Sequence, residues 1–398
     1  MKKLERKTFR RFIFCLCKNL LDFFLILFPK RIFTYKSPPQ KILLAMPAHI
    51  GDMVMATTVL PVIKKKYPGC QIGMIAGSWN LPLVKDHPLI NFVHIIDHFY
   101  LNRSRKTSKR RKWQRYWKTR RKALKEIKQI KYDAAIDLYF YFPSSIGIFY
   151  QAKIPRRIGY TRYGGKALLT DAFVWSFISQ PLPWYYKKLL CPLGIKEEDF
   201  NDLKSSLSIF PNITRDLPNR YIVVHMGCGN KIRKWPLEKW KQLRILLEME
   251  GHAILFTGKG AEENQEISFV IKDSFLSRNL CDKLSFSDWM SVIAKARLVI
   301  GVDSSAGHIA GACKTPCIVI HSGTNCREMW KPYFSKAISV RAEVACAPCL
   351  KKDGCAHMAC IRNIQPEEIL NKAKELLMPS LINNCEFKCG KNAEIRRS

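Results

Sequence analysis

The chain has 398 residues, 47% of them hydrophobic and 11% aromatic, which is enough to fill more than one packed core and excludes global disorder. Its formal charge of +35 at pH 7 implies an anionic partner: nucleic acid, an acidic lipid surface or a phosphorylated substrate. The excess is local, because residues 1–41 hold eleven basic and two acidic side chains, and residues 103–125 hold thirteen basic and none acidic.

In chain order the first feature is a basic arm, residues 1–40. Apolar residues recur at Phe9, Phe12, Ile13, Leu16, Leu20, Phe23, Phe24 and Leu27 with helical spacing, interrupted by Lys18 and Asp22. The uncharged run falls short of the roughly 20 residues that a spanning helix needs. Lys2, Lys3, Arg6, Lys7, Arg10 and Arg11 precede it, and Lys30 and Arg31 follow. This pattern reads as a helix lying in an anionic membrane surface; the alternative is a helix docked on the protein's own core. The absence of an A-x-A site after the stretch argues against a secretory signal.

Beyond the arm, short apolar strands alternate with helices. Strands are expected at 41–46, 71–76, 92–97 and 132–138, with helices from Met53 to about Lys66 and over about 113–130. A junction follows near 200–218. The alternation then restarts with strands at 221–227, 252–258, 297–303 and 317–323, and with helices at 236–250, 287–296 and 305–312. This order predicts two parallel sheets, each with helices on both faces. Two such doubly wound units facing one another leave a cleft at the carboxyl ends of their strands.

Three turns at those ends carry the chemistry. In MPAHIGD, residues 46–52, Gly51 permits a tight strand-to-helix turn and Asp52 stands at the helix start, either as a plain N-cap carboxylate or as a reactive group in the cleft. In GVDSSAGH, residues 301–308, a strand ends at Asp303. Ser304, Ser305, Ala306 and Gly307 leave bare N–H groups at a helix N-terminus, a ready phosphate site, and His308 sits in the first turn. The bland alternative is an ordinary Ser-capped helix. In GCGNKIRKWP, residues 227–236, Lys231, Arg233 and Lys234 offer cations for a leaving pyrophosphate or form a solvated basic loop. Taken together, the three suggest an enzyme that handles a nucleotide diphosphate.

These motifs, with YDAAIDL, RRIGY, LFTGKGAEE and MWKPY in the order found here, resemble glycosyltransferase family 9, the lipopolysaccharide heptosyltransferases, over roughly residues 41–375. The resemblance implies a GT-B fold: an acceptor domain at 41–210, a nucleotide-sugar domain at 211–380 and a basic tail at 381–398. It implies an inverting transfer of heptose from ADP-heptose to an anionic, lipid-anchored acceptor of the lipid A–Kdo core type, with Asp52 as catalytic base. It implies donor contacts at Asp303, Ser304, Ser305, Ala306, Gly307 and His308, and at Arg233 or Lys234, where the family's K-x-W-P lysine is displaced by one position. A family acidic residue near the donor ribose falls at Glu262 or Glu263. No cofactor is expected for catalysis. The expected setting is the cytoplasmic face of the inner membrane, and the expected state a monomer.

The segment 103–125 interleaves Trp113, Tyr116 and Trp117 with its cations. It reads as an acceptor and membrane surface, with Gly51, Arg110, Arg111, Lys112 and Arg115 as acceptor-binding candidates. A nucleic-acid-binding role is the competing reading from another class, a disordered solvated loop is the bland one, and no RNA-binding signature supports the nucleic acid. A related transferase with another nucleotide sugar or a protein acceptor is a third reading. Of the 15 cysteines, Cys70, Cys191, Cys228, Cys313 and Cys317 sit singly in apolar runs, as thiols do in a reducing compartment. Cys346, Cys349, Cys355 and Cys360 form C-x2-C-x5-C-x4-C, compatible with a structural zinc, two disulfides or free thiols.

Overall fold

The computed structural model describes residues 38–104, 107–162, 164–200, 205–207, 217–334, 336–351 and 353–378. The arm helix expected at 9–28 and the tail 381–398 lie outside the described residues.

Two six-stranded sheets organise the molecule. The first contains β1 (Lys41–Met46), β2 (Gln71–Ala76), β3 (Phe92–Ile95), β4 (Ala134–Asp137), β5 (Arg156–Tyr160) and β6 (Asp171–Phe173). The second contains β7 (Tyr221–His225), β8 (Ala253–Thr257), β9 (Ser277–Asn279), β10 (Leu298–Val302), β11 (Cys317–Ile320) and β12 (Ala337–Val340). Their orders are β3-β2-β1-β4-β5-β6 and β12-β11-β10-β7-β8-β9. Within each half this is the same 3-2-1-4-5-6 Rossmann winding, and the crevice lies where the order reverses. In β1 every residue after Lys41 is buried, because helices cover both faces and a parallel strand then reads as a continuous apolar run.

Helices of seven residues or more are α1 (Ile50–Ala56), α2 (Val59–Lys66), α3 (Lys109–Ile130), α4 (Leu182–Leu190), α5 (Leu237–Met249), α6 (Ala261–Val270), α7 (Phe286–Lys295), α8 (Ser305–Ala312) and α9 (Pro366–Leu377). The single helix expected over 53–66 is split. Pro61 cannot donate to the Thr57 carbonyl, and the Thr57 and Thr58 hydroxyls donate back to Val54 O and Met55 O at 2.7 Å each. The basic helix starts earlier than expected, at Lys109, where the Ser108 hydroxyl accepts from the Arg111 N–H at 3.3 Å. Much of the basic segment is therefore an amphipathic helix and not a disordered loop. Ala123 and Ile127 face the sheet, while Lys109, Arg110 and Arg111 are exposed.

One apolar cluster runs from Met53, Val59 and Leu60 of the first half to Ala306, Ile309 and Ala310 of α8 in the second. The two halves therefore share a core beneath the cleft. Trp235, fully buried and edge-on to Trp240 with centroids 4.9 Å apart, ties α5 to the segment before α9 by donating to Ile364 O at 3.2 Å.

Candidate functional site

The first half contributes the turn after β1. Asn80 Nδ2 donates to Ala48 O at 2.9 Å and the Trp79 indole N–H donates to the same carbonyl, so the turn is held from below. The Asp52 carboxylate accepts from the His49 N–H at 3.0 Å. Asp52 is half-buried. Burial raises its pKa to about 6, and proximity to Asp303 adds to the rise, against the His49 hydrogen bond and the Arg103 and Arg233 charges, which lower it. A carboxylate tuned there can accept a proton near neutral pH.

Gly51 has a purpose other than the one expected from its turn. Its φ is not in the left-handed region; instead a Cβ there would lie 2.7 Å from His308 Cδ2. The glycine lets the histidine of the opposite half close onto α1, so Asp52 and the start of α8 share one crevice.

The second half contributes α8 and the ends of β7 and β11. Arg233 Nη1 lies 2.9 Å from Asp303 Oδ2, and Asn325 Nδ2 donates to the same oxygen at 2.9 Å. Burial alone would push the Asp303 carboxyl up, but Arg233, His321, His308 and the Asn325 hydrogen bond outweigh it and hold the group below its usual range. His308 is buried and its pKa is lowered to about 4, chiefly by desolvation, so its ring is neutral. Several buried polar atoms here have no partner among the described residues: Ser304 Oγ, His308 Nδ1, both ring nitrogens of His321 and Arg233 Nε. Buried donors and acceptors are rarely left unmatched. Gathered at the N-terminus of α8, whose first N–H groups also lack helical partners, they suit a polyanionic ligand. Ala306 is fully buried, and a Cβ on Gly307 would lie 2.7 Å from Val319 Cγ2, so both side chains are small because α8 packs closely.

The structure distinguishes the two neighbouring cations. Arg233 faces Asp303 and influences Asp52, whereas Lys234 turns to α6, where its amine meets Glu262 at 3.2 Å and also pairs with Glu266. Glu262 also takes Lys231 at 2.7 Å, and these lysines hold its carboxyl down to about 2. The carboxylate of Glu263, not that of Glu262, packs at the strand ends: a Cβ on Gly227 would meet it at 2.4 Å.

The acceptor-side candidates fare differently. Lys112 Nζ donates to Asn102 O at 2.8 Å, and Arg115 is engaged by Asp97 and by Ser78 Oγ at 3.2 Å. Arg110 and Arg111 stay on the exposed first turn of α3. The cation that enters the crevice is Arg103, which sequence reading did not single out. A Cβ on Gly229 would lie 2.2 Å from Arg103 Nη1, and Arg103 lowers the pKa of both His49 and Asp52. Asn325 and His321 were also missed: His321 was read only as part of the stretch that continues from α8 into the strand at 317–323, Asn325 lies just beyond it, and only the folding of β11 beside β10 brings them to Asp303.

Cys346, Cys349, Cys355 and Cys360 are free thiols, and Cys191 is exposed where an apolar run suggested a buried thiol. Among the described residues no group of three or more His, Cys, Asp or Glu side chains is arranged to hold a metal ion, so the zinc reading finds no support. No helix of the described residues is long and apolar enough to cross a membrane.

Comparison with known proteins matches this arrangement. The sequence model of glycosyltransferase family 9 (heptosyltransferase) matches residues 120–358. The lipooligosaccharide heptosyltransferase 2 of Campylobacter jejuni is 25% identical over 349 residues, covering 86% of this chain and 99% of that protein. The structure of an Escherichia coli ADP-heptose lipopolysaccharide heptosyltransferase II superposes with a TM-score of 0.65 at 21% identity, covering 85% of this chain and 98% of that one. An Escherichia coli heptosyltransferase solved with ADP-2-deoxy-2-fluoro heptose gives a TM-score of 0.64 at 16% identity, covering 84% of this chain and 99% of that one. At these identities the structural likeness shows the fold, GT-B, with two Rossmann-like halves facing a cleft.

Proposed function

Since the chain belongs to glycosyltransferase family 9, we propose that it transfers heptose from ADP-heptose to the inner core of lipopolysaccharide with inversion at the anomeric carbon. The observation that carries this reading is the meeting of Asp52, its pKa raised to about 6, with the Arg233–Asp303 pair and the partnerless donors of α8. A donor of the same kind accompanies the Escherichia coli relative solved with an ADP-heptose analogue.

An acceptor hydroxyl oxygen attacks the anomeric carbon, Asp52 takes its proton, and the bond from that carbon to the diphosphate oxygen breaks. The electron pair leaves with ADP, whose charge is met by Arg233, Ser304 Oγ and the N–H groups of Ser305, Ala306 and Gly307 at the positive end of α8. Arg103 stands beside the base and keeps it from losing its charge altogether. Asp303, held ionised, orients Arg233 and faces the donor sugar; His308, neutral, supplies a ring N–H or lone pair. Glu263 is better placed than Glu262 for the donor ribose, since the latter is committed to two lysines.

The acceptor half spans 41–210 and the donor half 211–380. The exposed cations of α3, including Arg110 and Arg111, together with the arm, hold the enzyme to the anionic cytoplasmic surface of the inner membrane, where a lipid-linked acceptor resides. A thermal-shift screen of nucleotide sugars tests the donor: ADP-heptose raises the melting temperature by mass action, and a larger rise with a UDP- or GDP-sugar removes the donor assignment. Transfer of labelled heptose to heptose-free core then tests the acceptor.

A further inference from the structure

We propose that Arg341, Arg327, His321 and Ser339, around the carboxyl ends of β11 and β12, form a site for a phosphate group, free or as a monoester, separate from the diphosphate site at the start of α8. This goes beyond the transferase reading and does not depend on it.

Topology sets the site apart. In the order β12-β11-β10-β7-β8-β9 the winding reverses between β10 and β7, and there Arg233 meets Asp303. The sheet edge β12 lies two strands outward from β10, away from that crevice. Parallel pairing sets Val319 beside Ser339 and Ile320 beside Val340. The His321 N–H donates to Val340 O at 2.8 Å, so His321 and Arg341 follow as neighbours. Side chains alternate across a strand. Ile318, Ile320 and Val340 fill the cluster on one face, whereas Val319 packs toward Gly307 of α8. Ser339, His321 and Arg341 therefore lie on the α8 face. Arg327 opens a short helical turn, Arg327–Trp330, and the chain just after it packs on α8: a Cβ on Gly311 would lie 3.1 Å from Pro332 Cβ. The charges of both Arg327 and Arg341 reach His321.

The polar groups gathered there lack partners. The Arg341 side chain is only 10% exposed. Its Nε is buried without a partner among the described residues, as are Ser339 Oγ and both ring nitrogens of His321. Such groups are nearly always matched in a folded protein. The carboxylate between the two arginines is held loosely: Glu343 Oε2 lies 3.9 Å from Arg341 Nη2 and its Oε1 3.7 Å from Arg327 Nη1, both beyond hydrogen-bond reach, and its side chain is 80% exposed. Glu328, 3.5 Å from Arg327 Nε, is drawn to Lys331 at 2.8 Å. Asp303 is taken by Arg233 and Asn325. Burial lowers the His321 pKa, with the arginine charges adding and Asp303 opposing, so the ring is neutral and offers one N–H donor.

The donor set selects the ligand. Two guanidinium groups, an imidazole N–H and a hydroxyl suit a dianion better than a singly charged carboxylate. A phosphate monoester carries about −1.5 to −2 charge and three strong acceptor oxygens, and guanidinium forks pair with those bidentately. Arg327 and Glu343 form the open rim, where the exposed carboxylate can give way to an incoming anion. Bound phosphate then ties β12 to the stretch after β11 that carries Asn325, the partner of Asp303.

The test is calorimetric titration of the full chain with inorganic phosphate, glucose 6-phosphate and acetate, with and without saturating ADP. The expected result is one phosphate bound in the ADP-saturated protein and an affinity about tenfold weaker in Arg341→Gln, whose own ADP affinity stays within about threefold of wild type. Loss of all phosphate binding in the ADP-saturated protein overturns the separate site, and so does equal binding by wild type and Arg341→Gln. Equal or tighter binding of acetate overturns the phosphate assignment. Glucose 6-phosphate binding through Arg341 supports a monoester as occupant, its exclusion while phosphate binds supports the free ion, and binding of neither overturns the site. Circular dichroism checks folding; if Arg341→Gln does not fold, Arg327→Gln at the rim is expected to weaken phosphate about fivefold, and no weakening overturns the site. A wild type that binds phosphate through Arg341 and does not bind ADP overturns only the donor reading.

Discussion

The two halves share one winding and use it differently. In the first half the carboxylate with the raised pKa, Asp52, follows β1, the opening strand, and the segment after β4 is aromatic, with Tyr139 and Tyr141. In the second half the opening strand β7 leads to the Arg233 loop, and the segment after β10, the counterpart of β4, becomes α8 with its partnerless donors. Charge differs too. The second half matches its cations near the cleft with anions, as in Lys231 and Lys234 with Glu262 and Glu266. Among the described residues the Arg110 and Arg111 face of α3 has no such ion pair, while Arg103 turns toward Asp52. The same fold therefore presents either small polar turns or bulky aromatic ones at its strand ends, and the proposed division into a donor clamp and an acceptor platform rests on that difference.

The largest effect that would break this division is at Asp52. Asp52→Asn should lower kcat about 10²–10⁴-fold while the protein stays folded, and near-normal turnover would remove the first half's claim to the base. The same variant reports on stability. The native pKa of Asp52 is raised to about 6 from an ordinary 3.8, so the ionised carboxylate destabilises the native state fully above pH 6, and the penalty fades as pH falls from 6 to 4. Asp52→Asn should therefore gain about 1–3 kcal/mol at pH 8 and nothing at pH 4, as read from urea unfolding at both values.

Next comes the second half's cation pair. Arg233→Ala leaves Asp303 buried without its main counter-charge, which costs about 3–5 kcal/mol where burial is complete and less here, because Arg233 is partly exposed. ADP affinity should fall roughly 10–100-fold by calorimetry, through loss of a charge-assisted contact. Lys234→Ala should change it less than about threefold, since that amine serves Glu262 and Glu266; a larger loss from Lys234 than from Arg233 reverses the assignment.

A smaller, sharper signal lies in the pH profile. The acid limb of kcat/KM should have its midpoint near 6, set by Asp52, and Arg103→Ala should move it upward because Arg103 stabilises the ionised form. A limb that stays put separates Arg103 from the base.

The smallest effects belong to the outer surface. Arg110→Gln with Arg111→Gln should alter stability by no more than about 0.5 kcal/mol and leave kcat with a water-soluble acceptor within about twofold, while weakening salt-sensitive binding to anionic vesicles. Vesicle binding that does not change assigns membrane contact to other cations.

The amino-acid sequence by itself determined the parallel α/β layering, because β1, β2, β7 and β10 are apolar runs punctuated by small-residue turns. It also marked Asp52 and the Asp303–His308 turn, since strand-to-helix junctions carry local signatures. Strands β5, β6, β9 and β12 escaped the pattern: β6, β9 and β12 are short, partly buried sheet edges, β5 lies inside its sheet but opens on two arginines, and the pairing of all four depends on neighbours distant in the chain. Tertiary structure alone decided that Arg233 and not Lys234 faces the crevice, that Gly51 yields room to His308, and that Arg103, Asn325 and His321 join the site. Each of these is set by which side chains meet across separate strand ends, and spacing along one strand or helix carries no trace of that.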